Sequence, residues 1–267
     1  MITLTRRSFL GTLAAVSAVR LSAEQMAPPR IGLETYTFHD VDLETMLKHV
    51  NALGLKELEL HELHLPSDSP PAKVAAAKAA LARAGITATG VYIHDAFTES
   101  EAVARPIFEF AKTLGVRYIN GQPKRESLAL LDRLGPEYGI RITLHNHGPK
   151  ARYETIEDVT SALEGHPNLA ACIDIGHFAR SRVDPVRAIQ VLGGRADAVH
   201  VKDVDTEGEN AIIGKGTIDI PSVFRALRQS GFKGLPVLEY EGDFDNMTRR
   251  LAGMRESLVA MRQAMKD

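Results

Sequence analysis

The chain has 267 residues, with 32 Lys or Arg against 34 Asp or Glu, a formal net charge of −2, and a single cysteine. This balance excludes a surface built for nucleic acid or an anionic membrane. The lone Cys172 excludes an internal disulfide and reads as a small buried core residue, and a chain of this length buries a large core without staples.

The chain opens with Thr5-Arg6-Arg7-Ser8-Phe9-Leu10 and an apolar run to Val19, followed by Arg20 and small residues. A paired arginine ahead of a short apolar segment is the twin-arginine export pattern. The run is too short to span a bilayer, and no cysteine follows it to carry a lipid. Residues 1–27 are therefore expected to be a signal peptide, with cleavage after Ala23 or Ala27. The protein is expected to be periplasmic, exported already folded, without a membrane anchor. Without Arg6, Arg7 and Arg20, 29 basic residues face 34 acidic ones, a net −5.

Strand-like and helix-like segments then alternate to the end. Strands are expected at 31–36, 57–61, 86–93, 116–120, 141–145, 170–174, 197–202 and 235–240. Helices are expected at 43–53, 71–84, 99–114, 127–138, 155–163, 185–192 and 220–229, with 247–265 closing the fold. Glycines at 54, 85, 115, 139 and 231 stand where helices end. Eight strands alternating with helices, and no linker, predict an α/β fold with one (β/α)8 TIM barrel over residues 28–267.

Four late strands each end in a metal-binding residue: His145, Asp174, His200 and Glu239. Successive strand side chains point to opposite faces. Each of the four lies opposite the bulky apolar set (Ile142 and Leu144, Ile173, Val199 and Val201, Leu238 and Tyr240) that would pack under helices. All four are expected to point into the barrel mouth, where such barrels place their chemistry. Earlier strands send Glu34, Tyr36, Glu59, His61, Tyr92 and His94 to the same end, which suggests a polar pocket for a small carbohydrate. Gly214-Lys215-Gly216 lacks the spacing of a phosphate loop and reads as a rim loop.

The segments LHNHGP (144–149), CIDIGHF (172–178), VHVKDVD (199–205), GKGTIDI (214–220) and VLEYEGD (237–243) resemble the sugar phosphate isomerase/epimerase family. These are the xylose-isomerase-like barrels, which also include endonuclease IV. The resemblance covers residues 31 to about 261. It implies one divalent metal held by a Glu, an Asp, a His and a Glu after the fifth to eighth strands. Asp174, His200 and Glu239 match the last three. At the first position this chain carries His145 instead of Glu. Imidazole binds Mn²⁺, Co²⁺, Zn²⁺ or Fe²⁺ but brings no negative charge, which counts against a proton transfer shared by two glutamates.

Such an ion would polarise the carbonyl of a sugar or polyol ketone and stabilise the enediolate formed. Glu239, Glu241, His147, Lys202 and His177 are the candidate proton carriers and substrate contacts. The leading expectation is a metal-dependent isomerase or epimerase acting on an unphosphorylated substrate, since the periplasm has no ATP supply. The runner-up is cleavage of a 3-keto-glycoside by β-elimination, which can run with one base. An abasic-site endonuclease is disfavoured by the acidic charge and the export signal. A silent sugar-binding barrel would keep the pocket without the metal, and oligomerisation is open to either.

Overall fold

The computed structural model describes residues 30–94, 97 and 100–266. The expected signal peptide and the expected helix start at residue 99 lie outside the described residues. Eight parallel strands close on themselves: β1 (Gly32–Glu34), β2 (Glu57–His61), β3 (Thr87–Tyr92), β4 (Tyr118–Gly121), β5 (Arg141–His145), β6 (Ala170–Asp174), β7 (Ala196–Val201) and β10 (Leu235–Leu238). Strand β10 pairs with both β7 and β1, which completes the barrel. Between β7 and β10 lies a two-stranded antiparallel ribbon, β8 (Asp203–Val204) with β9 (Asn210–Ala211).

The helices are α1 (Leu43–Ala52), α2 (Pro71–Ala84), α3 (Glu101–Leu114), α4 (Leu128–Tyr138), α5 (Ile156–Leu163), α6 (Ile175–Arg180), α7 (Pro185–Leu192), α8 (Ile220–Gln229) and α9 (Met247–Ala264). Side-chain oxygens start most of them, as where Asp42 accepts from Thr45 N and Thr155 and Asp158 form a capping box. Gly85, Gly115 and Gly139 end α2, α3 and α4 in the left-handed region.

Alternation along the strands separates two cores. Ile142, Leu144, Ala171, Ile173, Val199, Val201 and Leu238 join the layer between sheet and helices. Tyr118, Cys172 and Ala198 form a small cluster inside the barrel. Gly90 makes room for it, because a Cβ there would stand 2.2 Å from the Tyr118 ring. Cys172 is buried and free, as its mid-strand position suggested.

Three features beyond the sequence reading matter for the site. The first strand stops at Glu34, whose carboxylate accepts from Tyr36 N at 2.6 Å and turns the chain into a 3₁₀ turn, Thr35–Phe38. Asp174 ends β6 and also caps α6 by accepting from His177 N at 2.8 Å. The Gly214-Lys215-Gly216 segment folds around a buried carboxylate. Asp203 accepts four backbone N–H groups, from Val204, Gly214, Gly216 and Ile218, at 2.8 to 3.1 Å.

That arrangement gives a stability prediction. Asp203→Ala strands those donors in a region where Asp203 is only 1% exposed. The expected loss is about 3 kcal/mol, or roughly 6–12 °C in Tm for a domain of this size. Thermal denaturation checks it, and a Tm within about 2 °C of wild type would contradict the assignment.

Candidate metal centre and pocket

The barrel brings four strand ends together. His145 closes β5, Asp174 closes β6, His200 lies near the end of β7 and Glu239 follows β10. Each offers a donor atom, and all four atoms lie within 4.8 Å of one another. None of the four residues is more than 6% exposed. His200 Nδ1 stands 2.8 Å from Glu239 Oε2 and 3.7 Å from Asp174 Oδ2. His145 Nε2 stands 3.5 Å from Asp174 Oδ2 and 3.2 Å from His200 Nδ1.

These spacings fit a divalent ion. Donors about 2.1 Å from a tetrahedral ion lie about 3.4 Å from each other. Asp174 Oδ2 and Glu239 Oε2 are also buried acceptors with no aligned hydrogen-bond donor. The Lys202 ammonium lies 3.2 Å from the first and His200 Nδ1 2.8 Å from the second, so both oxygens are charge-compensated but lack a hydrogen bond of good geometry. Buried polar atoms are rarely left so.

Neighbouring groups aim each donor inward. His200 Nε2 donates to Glu59 Oε1 at 3.0 Å, which directs Nδ1 toward the cluster when the ring is neutral. Asn120 Nδ2 donates to the same Glu59 oxygen at 2.9 Å, and Thr143 Oγ1 fixes the Asn120 carbonyl. Asn146 grips the Asp174 backbone from both sides, accepting from its N–H at 2.7 Å and donating to its C=O at 2.9 Å. Since Asp174 Oδ1 caps α6, Oδ2 is left to face the other donors.

Lys202 is the surprise of the site. It was a candidate proton carrier and substrate contact, but it is 1% exposed and does not line the pocket. Its Nζ lies 3.2 Å from Asp174 Oδ2 and 3.0 Å from both Glu239 Oε1 and Glu241 Oε1. It also donates to His177 Nε2 at 3.2 Å. Gly176 lets α6 pack onto this side chain, since a Cβ there would meet the Lys202 Cβ at 2.6 Å.

Burial and charge set the protonation states. Burial opposes charge on Asp174 and Glu239, but the Lys202 ammonium together with the surrounding histidines (His177 and His145 at Asp174, His200 at Glu239) outweighs it and holds both carboxyls below their usual range. Lys202 is itself held well above the ordinary lysine value by Asp174, Glu239 and Glu241, against its burial. Glu34 goes the other way. Burial first, then the nearby Glu239 and Glu59 charges, push its carboxyl well up, so it stays neutral. Burial lowers His145 and His177 and brings His61 to about 4.

Above the four donors opens a cavity of about 220 Å³. His147 and His177, Glu239 and Glu241, Glu34 and Tyr36, and His61, Tyr92 and His94 line it together with His145. The His147 and His177 rings lie 3.6 Å apart between centroids. Of the sequence candidates, Glu59, Asp174, His200 and Lys202 fall beneath the cavity instead of on its wall. The supporting roles of Asn146 and Glu59 were not foreseen. Asn146 had a signal, its place between two candidate histidines. Glu59 had none beyond its inward face, because its partner lies 141 residues away.

The sequence profile of the xylose isomerase-like TIM barrel family matches residues 47–264. Inosose dehydratase from Clostridium beijerinckii is 24% identical over 137 residues, 44% of this chain and 46% of that protein. The chain thus spans about half the length of that relative. A crystal structure of a Parabacteroides distasonis protein superposes with a TM-score of 0.69 at 26% identity, covering 89% of this chain and 99% of the other. D-Psicose 3-epimerase superposes with a TM-score of 0.74 at 15% identity, over 90% and 100%. At that identity the likeness establishes the fold alone. Among the described residues no helix is long and apolar enough to cross a membrane.

The His61 shift is open to test. The folded protein resists protonation that an unfolded histidine accepts below about pH 6.5. Between pH 6.5 and about 4 the unfolded state binds more protons, so the His61 contribution to stability falls as pH drops through that window. NMR should place the His61 midpoint near pH 4. A midpoint near 6.5 would contradict the buried, neutral ring.

Proposed function

The chain belongs to the xylose isomerase-like TIM barrel family, and from that premise we propose that it is a divalent-metal enzyme that removes the proton beside the carbonyl of a small sugar or polyol ketone. His145, Asp174, His200 and Glu239 would hold the ion. When bound, it supplies Lewis acidity that polarises the carbonyl and acidifies the adjacent C–H.

The pocket's composition supports an unphosphorylated substrate. Among the described residues no Lys or Arg lines it, while Glu34, Glu239 and Glu241 do. A phosphate dianion would meet carboxyl groups and find no Lys or Arg side chain on the wall to pair with. The small volume suits one compact polyol ring better than an extended chain. The Arg6-Arg7 leader supports an exported, periplasmic enzyme.

Loss of an oxygen substituent β to the ketone is the reading we favour for the next step. The observation that carries it is how the candidate proton carriers are engaged. Lys202 holds one Glu239 oxygen. Glu241 is held by Lys202 through Oε1 and by Arg180 through Oε2. His177 spends its Nε2 lone pair on Lys202. His147 alone of the four is free to act as a base: its Nδ1–H donates to Gly148 O at 2.8 Å, which leaves an Nε2 lone pair on a ring that lines the cavity.

One base to take the proton and one neutral acid beside the departing oxygen serve an elimination, whereas epimerisation needs that acid to return the proton to carbon on the opposite face. His147 Nε2 takes the proton, the carbon–carbon double bond forms, and the β carbon–oxygen bond breaks. Glu34 then protonates the departing oxygen, because its carboxyl stays neutral and its buried Oε1 has no protein partner. The inosose dehydratase relative supports the same outcome, since its name describes loss of water from a polyol ketone. The isomerase or epimerase reading shares the first step and differs in the fate of the proton.

The two are separated in D₂O with an inosose and a 3-keto-glycoside as substrates. Elimination yields an enone absorbing in the ultraviolet. His147→Ala should lower kcat on the order of 10²–10⁴-fold. An epimer carrying deuterium, with no enone, would establish the isomerase reading instead. An unchanged rate in His147→Ala would remove His147 as the base.

A further inference from the structure

Cys172 lies two residues before Asp174 on β6 and shares its inward face. The strand register sets it beside His145 on β5. His145, Cys172 and His200 each offer a donor atom, and these three atoms also lie within 4.8 Å of one another. All three residues are at least 98% buried, and His145 Nδ1 is a buried nitrogen without a hydrogen-bond partner. Cys172 is absent from the wall of the substrate cavity.

The mouth of the barrel therefore carries two overlapping donor sets. The upper set has two carboxylates and two imidazoles. The lower set has the same two imidazoles and a thiol. Carboxylates suit hard ions such as Mn²⁺, whereas thiolates select soft ones. We propose that His145, Cys172 and His200 form a second, deeper metal position that captures thiophilic ions such as Cd²⁺, Cu⁺ and Zn²⁺.

Binding there exchanges one bond for another. The S–H bond breaks, a sulfur–metal bond forms, and the proton leaves to solvent, with no electron transferred. Donors of a single tetrahedral ion, at about 2.0 Å for nitrogen and 2.3 Å for sulfur, lie about 3.5 Å apart. Closing from 4.8 Å or less needs side-chain movements of about an ångström. Because both sets use His145 and His200, they cannot be filled together. A thiophilic ion in the lower position strips the upper one of half its donors and sits away from the pocket. The position exists because residue 145 is an imidazole; a carboxylate there would leave only one imidazole beside the thiol. This inference depends on the side-chain cluster and not on which reaction the pocket performs.

The test loads metal-free protein with one equivalent of Cd²⁺ and records ultraviolet absorption for sulfur-to-metal charge transfer. Mn²⁺ affinity is measured in the same preparations. Wild type should show the band and resist displacement by Mn²⁺. Cys172→Ala should lose the band and weaken Cd²⁺ binding on the order of tenfold or more, while its Mn²⁺ affinity stays close to wild type, which also reports that it is folded. His145→Glu should lose the band and still bind Mn²⁺. No band in wild type, with Cd²⁺ bound elsewhere or not at all, overturns the proposal. So does a Cys172→Ala variant that binds Cd²⁺ as tightly as wild type. The Mn²⁺ measurement shows separately whether the upper set stands.

Discussion

Two carboxylates, Asp174 and Glu239, are buried side by side at the mouth of the barrel, and the need to compensate them organises the groups around them. Even after relaxation, an isolated buried ion is penalised by several kcal/mol. Lys202 answers that penalty from below, reaching both carboxylates and Glu241 within 3.2 Å. His200 adds a second cationic group: burial works against its charge, but the adjacent Cys172, Glu59 and Glu239 hold it well above its ordinary value. Glu34, which lacks such a cation, is left neutral. One electrostatic constraint thus yields ionised carboxylates on the floor and a protonated acid on the wall.

The same constraint sets how the cluster would exchange protons for an ion. A histidine ligand must give up its proton before its lone pair can bind a metal. His200 is therefore poised between two states, an imidazolium neutralising Glu59 and Glu239, and a neutral ligand still hydrogen-bonded to Glu59 through Nε2. Rigid support keeps the two geometries alike. Asn146 ties β5 to β6, and the path from Thr143 through Asn120 to Glu59 crosses the barrel interior.

Much of this was legible from the chain. The eight strands follow from alternation with helices, and the convergence of His145, Asp174, His200 and Glu239 follows from their inward faces and terminal positions. Local patterns failed where a side chain turns the chain: the first strand stops at Glu34 instead of residue 36, and β6 ends at Asp174 as expected but runs straight into a helix that was not. Glu34 and Asp174 look like strand residues, yet each accepts a backbone N–H two or three residues on and turns the chain. Helix α6, six residues long, is too short to show a helical period. Lys202 was read as a substrate contact because its strand face is correct. Depth, which decides between cavity wall and buried counterion, depends on three carboxylates from other segments. The Glu59–His200 pair is likewise set by barrel closure, which no local pattern encodes.

The central claim is that His145, Asp174, His200 and Glu239 together hold one divalent ion. Elemental mass spectrometry of protein purified without added metal or chelator tests it most directly, on wild type and on Asp174→Ala and Glu239→Ala. The account predicts near-stoichiometric Mn, Co, Zn or Fe in wild type and its loss in both variants. A folded wild type that holds no ion, even after reconstitution with each of these metals, would contradict it and leave the pocket as a binding site without Lewis-acid chemistry.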